Sequence, residues 1–265
     1  MKRIESFLSA RLFLVPQLVG DRLYFISNLN GRNSLYVMDR GGSVPEPLLP
    51  PDIALQNPHL IDGLSFVVLP KLEKILVMID QDGDENYQPM FIPLTGGYPE
   101  PFHPDVFAGN SIIAGGEDLA LNKIFLISQS RTESIFHTYL ADLTTGELTL
   151  IYATQFGGFP AGVNKDYSQF VLAEGYGAGD IVLFHHQLGQ EAPTTLYGTP
   201  IAERRPGVWY PPITSIPATS ITTIRFVAHD LAFSDTYGLA FILADSKHAA
   251  CGNHLRVTPS RASVN

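Results

Sequence analysis

Four carboxylates fall within six residues at Asp80, Asp82, Asp84 and Glu85, and oxygen ligands gathered this closely are what a Ca²⁺ site requires. Their spacing departs from the helix-loop-helix calcium pattern, in which Gly is the sixth loop residue and a distant Glu closes the cage. The favoured reading is a solvated hairpin tip in which Gly83 supplies a positive φ. His248, Cys251 and His254 offer softer ligands that suit Zn²⁺, yet no clear fourth ligand accompanies them, which favours a polar tail. His229-Asp230 near Ser234 has the composition of a base, an orienting acid and a nucleophile. No oxyanion feature stands beside it, so a capped turn between strands is favoured. These residues assign no catalytic group, no metal ligand and no cofactor site.

Glu203-Arg204-Arg205-Pro206 is followed by Trp209-Tyr210-Pro211-Pro212. Aromatics beside arginine suit a peptide or partner surface, which makes Glu203, Arg204, Arg205, Trp209 and Tyr210 a candidate recognition loop. An interblade connection stiffened by proline is the favoured alternative. His185-His186 sit in an alternating strand, so one is expected to face solvent and the other to pack.

These residues are set in a unit that recurs about every 50 residues, the spacing of repeats that bury their apolar faces by stacking. In the first copy Arg22 to Ser27 (RLYFIS), a turn at Asn28–Gly31, Ser34 to Asp39 (SLYVMD), Gly41-Gly42 and Pro45-Glu46-Pro47 follow in order. The second has Lys74 to Ile79 (KILVMI), an acidic turn, Tyr87 to Pro93, Gly96-Gly97 and Pro99-Glu100-Pro101. The third has Lys123 to Ser128, Ser134 to Asp142 and Glu147 to Tyr152; the looser fourth has Gln169 to Ala173, Asp180 to His186 and Thr194 to Tyr197. A fifth, weakly marked, runs through Thr222 to Ala228 and Gly238 to Asp245. Alternating apolar and aromatic residues between Asn, Asp and Gly turns predict antiparallel strands joined by hairpins. Units of three or four such strands at this period predict an all-β chain of β-propeller blades. The sole helical candidate is Ile4 to Leu14. Propeller repeats are expected over residues 1–245, the fifth from about 206, with an irregular tail over 246–265.

The composition fits a folded repeat protein. Of the 265 residues, 45% are hydrophobic and 11% aromatic, which suits stacked sheets. The formal charge of −9 repels a phosphate backbone and an anionic membrane, so neither nucleic acid nor membrane is an expected partner. A single cysteine excludes an internal disulfide framework, and the apolar N-terminal run is broken by Glu5 and Arg11 without a cleavage site behind it. Cytoplasm is the expected location.

The run ESFLSARLFLVPQLVGDRLYFISNLNGRNSLYVMDRGG and the segment Asp80 to Gln88 (DQDGDENYQ) resemble the opening blades of the propeller in prolyl oligopeptidase-family serine peptidases, especially the acylaminoacyl-peptidase branch. The similarity covers about residues 4 to 102 and fades through 205. Related blades occur in Tol B-type propellers. The resemblance implies a ring of roughly seven or eight blades, set before an α/β-hydrolase domain and restricting which peptides reach it.

An α/β-hydrolase nucleophile needs a Gly-x-Ser-x-Gly elbow, whose small residues permit the strained strand-to-helix turn. The sequence contains none; Gly63-Leu64-Ser65-Phe66-Val67 and Gly109-Asn110-Ser111-Ile112-Ile113 each lack the second glycine. The expected function is therefore that of the non-catalytic propeller portion of such a peptidase. It would gate peptide substrates for a hydrolase domain not found in these residues. A stand-alone binding or scaffold propeller of the Tol B-like type is the alternative. Five repeats of a larger array predict an incomplete ring, whose uncovered terminal blades favour self-association.

Overall fold

A computed structural model of the chain describes residues 11–210 apart from positions 56, 60–62, 82, 178–179 and 209. The fifth repeat and the tail lie outside the described residues, as do positions 4–10 of the helical candidate. The end of that candidate is corrected: Phe13 onward is strand, because an alternating apolar run interrupted by Pro16 pairs with the strand that follows it.

Among the described residues sixteen strands form four sheets of four, each built from consecutive strands. The first sheet comprises β1 (Phe13–Val19), β2 (Arg22–Ser27), β3 (Ser34–Asp39) and β4 (Glu46–Pro47), and the second β5 (Phe66–Leu69), β6 (Lys74–Ile79), β7 (Gln88–Pro93) and β8 (Glu100–Pro101). The third contains β9 (Asn110–Asp118), β10 (Lys123–Ser130), β11 (Phe136–Asp142) and β12 (Glu147–Thr154). The fourth contains β13 (Phe159–Val163), β14 (Gln169–Gly177), β15 (Asp180–Gln187) and β16 (Thr194–Tyr197). Among the described residues one four-residue α-helix, α1 (Pro104–Phe107), leads into the third sheet. Antiparallel meanders of four strands, repeated along the chain, are propeller blades. The chain is an all-β propeller protein.

The described residues hold four blades, against the roughly seven or eight that the resemblance implies for the larger ring. Among the described residues no blade combines an early strand with a late one.

The second and third strands form where the repeat placed them. Leu35, Tyr36 and Val37, the run from Ile75 to Ile79, Phe125 to Ile127 and Ile181 to Phe184 are all buried, whereas Leu23 and Met38 at the strand ends are half-buried. The fourth strands of the first two blades are Glu-Pro pairs. Pro47 lies opposite Tyr36, and Pro101 opposite Met90. Proline has no N–H to offer a further strand, so it blunts the sheet edge.

By compactness the chain divides into two units, one up to Ala114 and one from Gly115. In the first, Tyr24, Ile26, Leu35 and Val37 of one blade share a core with Phe66, Val68, Ile75, Val77 and Ile92 of the next, with Leu48, Leu49 and Leu55 from the connection. Each such side chain contributes about 1.5–3 kcal/mol when fully buried. Gly96 adopts φ +82°, and a Cβ there would stand 2.7 Å from the Leu48 carbonyl oxygen. The next amide, of Gly97, donates to that same oxygen at 3.0 Å, so this turn rests directly on the backbone leaving the first blade. In the second unit Phe125, Leu140 and Ile151 meet Phe170 and Leu172, with the Phe125 and Phe170 rings edge to face at 6.2 Å.

Candidate functional site

Successive even-numbered residues of β14 share one face of the strand. Phe170 and Leu172 enter the core, and Glu174, two residues on, extends that face as a charge that is 5% exposed. A buried carboxylate must be satisfied by donors. Tyr152 and Thr154, on alternate positions of β12, both donate their hydroxyls to Glu174 Oε1, at 3.0 and 2.5 Å. Tyr176 donates to Oε2 at 2.7 Å.

The tyrosines answer to that charge. Burial raises the Tyr152 hydroxyl above its usual range, and the carboxylate beside it adds to the shift. Tyr176 is pushed up to about 12 by burial, reinforced by its bond to Glu174. The Phe156 ring meets Tyr176 edge-on at 4.7 Å, and the Gly175 amide donates to the Phe156 carbonyl at 3.0 Å. The loop between β12 and β13 is thereby fixed to the end of β14.

Arg204 closes this end of the blade. It donates Nη1 to Asp180 Oδ2 at 2.6 Å, Nη2 to Asp180 Oδ1 at 2.7 Å, and Nε to the Thr199 carbonyl at 2.9 Å. The guanidinium carbon lies 4.7 Å from the Tyr176 ring centre and 4.7 Å from that of Tyr210. The guanidinium hydrogen-bonded to it holds the Asp180 carboxyl below the usual carboxylate range, although desolvation opposes the shift. Such two-point pairing is geometrically specific as well as strong. His186 lies nearby in the same unit, 4% exposed, with its ring 5.8 Å from that of Tyr152. Its Nδ1 is buried without a hydrogen-bond partner, and burial lowers its pKa.

The residues singled out from the sequence are distributed as follows. Glu203 ends a short 3₁₀ turn, Arg204 is engaged as described, and the Arg205 amide donates to the Tyr210 hydroxyl at 2.9 Å; Trp209 lies outside the described residues. Arg204 is thus turned into the fold rather than presented outward. Asp84 accepts from the amides of Gln81 and Asn86, and Asp80 accepts from the Glu85 amide, which is the bonding of a hairpin tip; Asp82 lies outside the described residues. Among the described residues no three of His, Cys, Asp and Glu gather as metal ligands. Ser111 donates to the Glu85 carbonyl, and Ser65 is buried just before β5; neither occupies a strand-turn-helix. His185 bonds Gln169 at 3.1 Å while His186 packs. His229, Asp230, Ser234, His248, Cys251 and His254 lie outside the described residues. Among the described residues no helix is long and apolar enough to cross a membrane.

Glu174 went unnoticed in the sequence. The signal available was a carboxylate in register with Phe170 and Leu172 on an apolar face.

No family model and no curated protein matches the chain. Among solved structures it is similar to a putative TolB from Agrobacterium tumefaciens, with 15% identity, a TM-score of 0.44, and 71% of this chain covering 63% of that one. It is similar to a prolyl endopeptidase at 11% identity and a TM-score of 0.48, over 72% of this chain and 30% of that one. The propeller domain of the trilobed protease from Pyrococcus furiosus, described as having an open velcro topology, matches at 13% identity and a TM-score of 0.45, over 70% of this chain and 57% of that domain. The chain therefore spans less than two thirds of the length of these proteins. The likeness is one of fold.

Proposed function

We propose that this chain is the non-catalytic propeller portion of a prolyl oligopeptidase-like serine peptidase, selecting peptides for a hydrolase domain encoded outside these residues. The observation that carries the reading is the coincidence of two patterns. The segments that resemble the peptidase propellers, residues 4–102, contain the first two complete blades, and DQDGDENYQ forms the hairpin that joins β6 to β7. The engaged state of Ser111 and the lack of a Gly-x-Ser-x-Gly in the printed sequence support a binding role over a hydrolytic one. The partner would be a peptide and the domain that cleaves it, and the site of action the cytoplasm.

Labelling by a fluorophosphonate probe tests the catalytic half of this reading. The chain alone should remain unlabelled and release nothing from blocked or acylated peptides. Labelling lost on changing Ser65, Ser111 or Ser234 to Ala would overturn the proposal.

A further inference from the structure

We propose that Asp180 and Tyr176 form a guanidinium-binding site which the chain fills with its own Arg204, and which accepts the arginyl side chain of a peptide when the segment that carries Arg204 lifts away. The inference rests on the geometry around Arg204 and does not depend on the peptidase reading.

The site has the parts that recognise a planar cation. Asp180 offers both carboxylate oxygens at 2.6 and 2.7 Å, which matches the fork of two parallel N–H donors. The Tyr176 ring supplies a π-face 4.7 Å from the guanidinium carbon, a distance at which the ring quadrupole attracts a cation. Tyr176 is itself fixed, its hydroxyl bound to Glu174 and its edge against Phe156. Asp180 opens β15 and Tyr176 belongs to β14, so these two groups stand on paired strands of one blade. Arg204 and Tyr210 arrive on a separate segment, which leaves the blade after β16 and, among its described residues, carries a short 3₁₀ turn as its one regular element. The recognising groups stand on paired strands, and the cation is carried by the segment that follows the last strand of the blade.

A tethered ligand on a short segment competes at an effective concentration of roughly millimolar or more. A peptide arginine in solution therefore meets a filled site in the native chain. Removing the Arg204 side chain vacates the two carboxylate oxygens while leaving Glu174, Phe156 and the strands untouched. A lysine is a poorer guest because a single ammonium cannot span both oxygens.

The test is calorimetric titration of the R204A chain with N-acetyl-arginine amide, with methylguanidinium and N-acetyl-lysine amide as comparisons, after circular dichroism has confirmed strand content. Expected are saturable binding of the arginine compound, at least tenfold weaker binding of the lysine compound, loss of binding in R204A/D180N, and no binding to the unsubstituted chain. Methylguanidinium binding as tightly as the amide would assign recognition to the head group alone; weaker binding would add the peptide portion. If R204A loses its strand signal, R204Q, which keeps much of the side-chain bulk but no cation, is titrated in the same way. The absence of saturable binding in a folded variant, or equal binding with and without Asp180, overturns the proposal.

Discussion

Gln17 binds Val68 as a neighbouring strand would. Its side-chain oxygen accepts the Val68 N–H at 3.2 Å, and its nitrogen donates to the carbonyl of Phe66 at 3.0 Å. One carboxamide thus satisfies two backbone groups of β5 from β1, joining two blades along the side where neither strand has a sheet partner.

Replacing Gln17 by Leu leaves a donor and an acceptor of β5 unpaired in a half-buried setting. The expected loss is about 1–3 kcal/mol, read as a lower urea midpoint at unchanged slope. Gln17→Glu should lie between, since a carboxylate can accept from Val68 but repels the Phe66 carbonyl. Equal stability of Gln17→Leu and the native chain would show that the bridge contributes nothing.

Two glycines in equivalent turns separate backbone freedom from close contact. A Cβ at Gly42 (φ +94°) meets nothing, whereas at Gly96 (φ +82°) it meets Leu48 backbone atoms at 2.7 and 2.9 Å. Gly42→Ala should cost about 1 kcal/mol through its φ alone. Gly96→Ala should cost a further ~1–3 kcal/mol because backbone must move. Thermal unfolding of the two variants side by side decides; equal losses would refute the contact between blades.

The second and third strands were legible because they are continuous apolar runs closed by Asp, Asn and Gly turns; Arg22–Ser27, Ser34–Asp39 and Lys74–Ile79 have the bounds that the repeat predicts. The first strands were not. FLVPQLV holds a proline, NSIIAGGED two glycines and FPAGV both residue types, which breaks the apolar pattern of these three; Phe66–Leu69 is a continuous buried run of only four residues, too short to stand out as a repeat unit. At the site, Arg204 and Tyr210 stood out as an aromatic-basic pair, but their role depends on Asp180, 24 positions away. Charge pairing across that separation leaves no periodic trace. The two strands that bring Tyr176 to the same place had to be seen folded.

His186 gives the second unit a pH dependence of defined sign. Burial lowers its pKa in the folded state below 6.5, so the unfolded chain binds the additional proton first. Stability present above about pH 6.5 should therefore fall as the pH drops through the folded value, where protonation would charge a ring 4% exposed. Urea midpoints from about pH 7.5 to 5 should decline, and His186→Phe should flatten that decline. An unchanged slope in the variant would contradict the assignment.

Glu174 and Tyr176 are coupled through their 2.7 Å hydrogen bond. Because the folded-state pKa of Tyr176 is pushed up to about 12, its contribution to stability is complete below pH 10 and lost as the pH rises through the folded value. Glu174→Gln removes the charge that opposes tyrosinate formation, so near-ultraviolet titration should show a tyrosine ionising at lower pH than in the native chain. Thr154→Ala, which loses one hydroxyl donor to the same carboxylate, should leave Tyr176 in place and cost about 1 kcal/mol. A titration curve unaltered by Glu174→Gln would separate the two residues.

The most direct test of the proposed role is reconstitution with the α/β-hydrolase domain that the proposal requires to be encoded beside this sequence; a genome neighbourhood without one contradicts the proposal at once. We expect the hydrolase alone to cleave blocked peptides without regard to length, and addition of the propeller chain to retain cleavage of short peptides while suppressing that of long ones about tenfold or more. Identical length dependence with and without the chain, or turnover by the chain alone, would contradict a gating propeller.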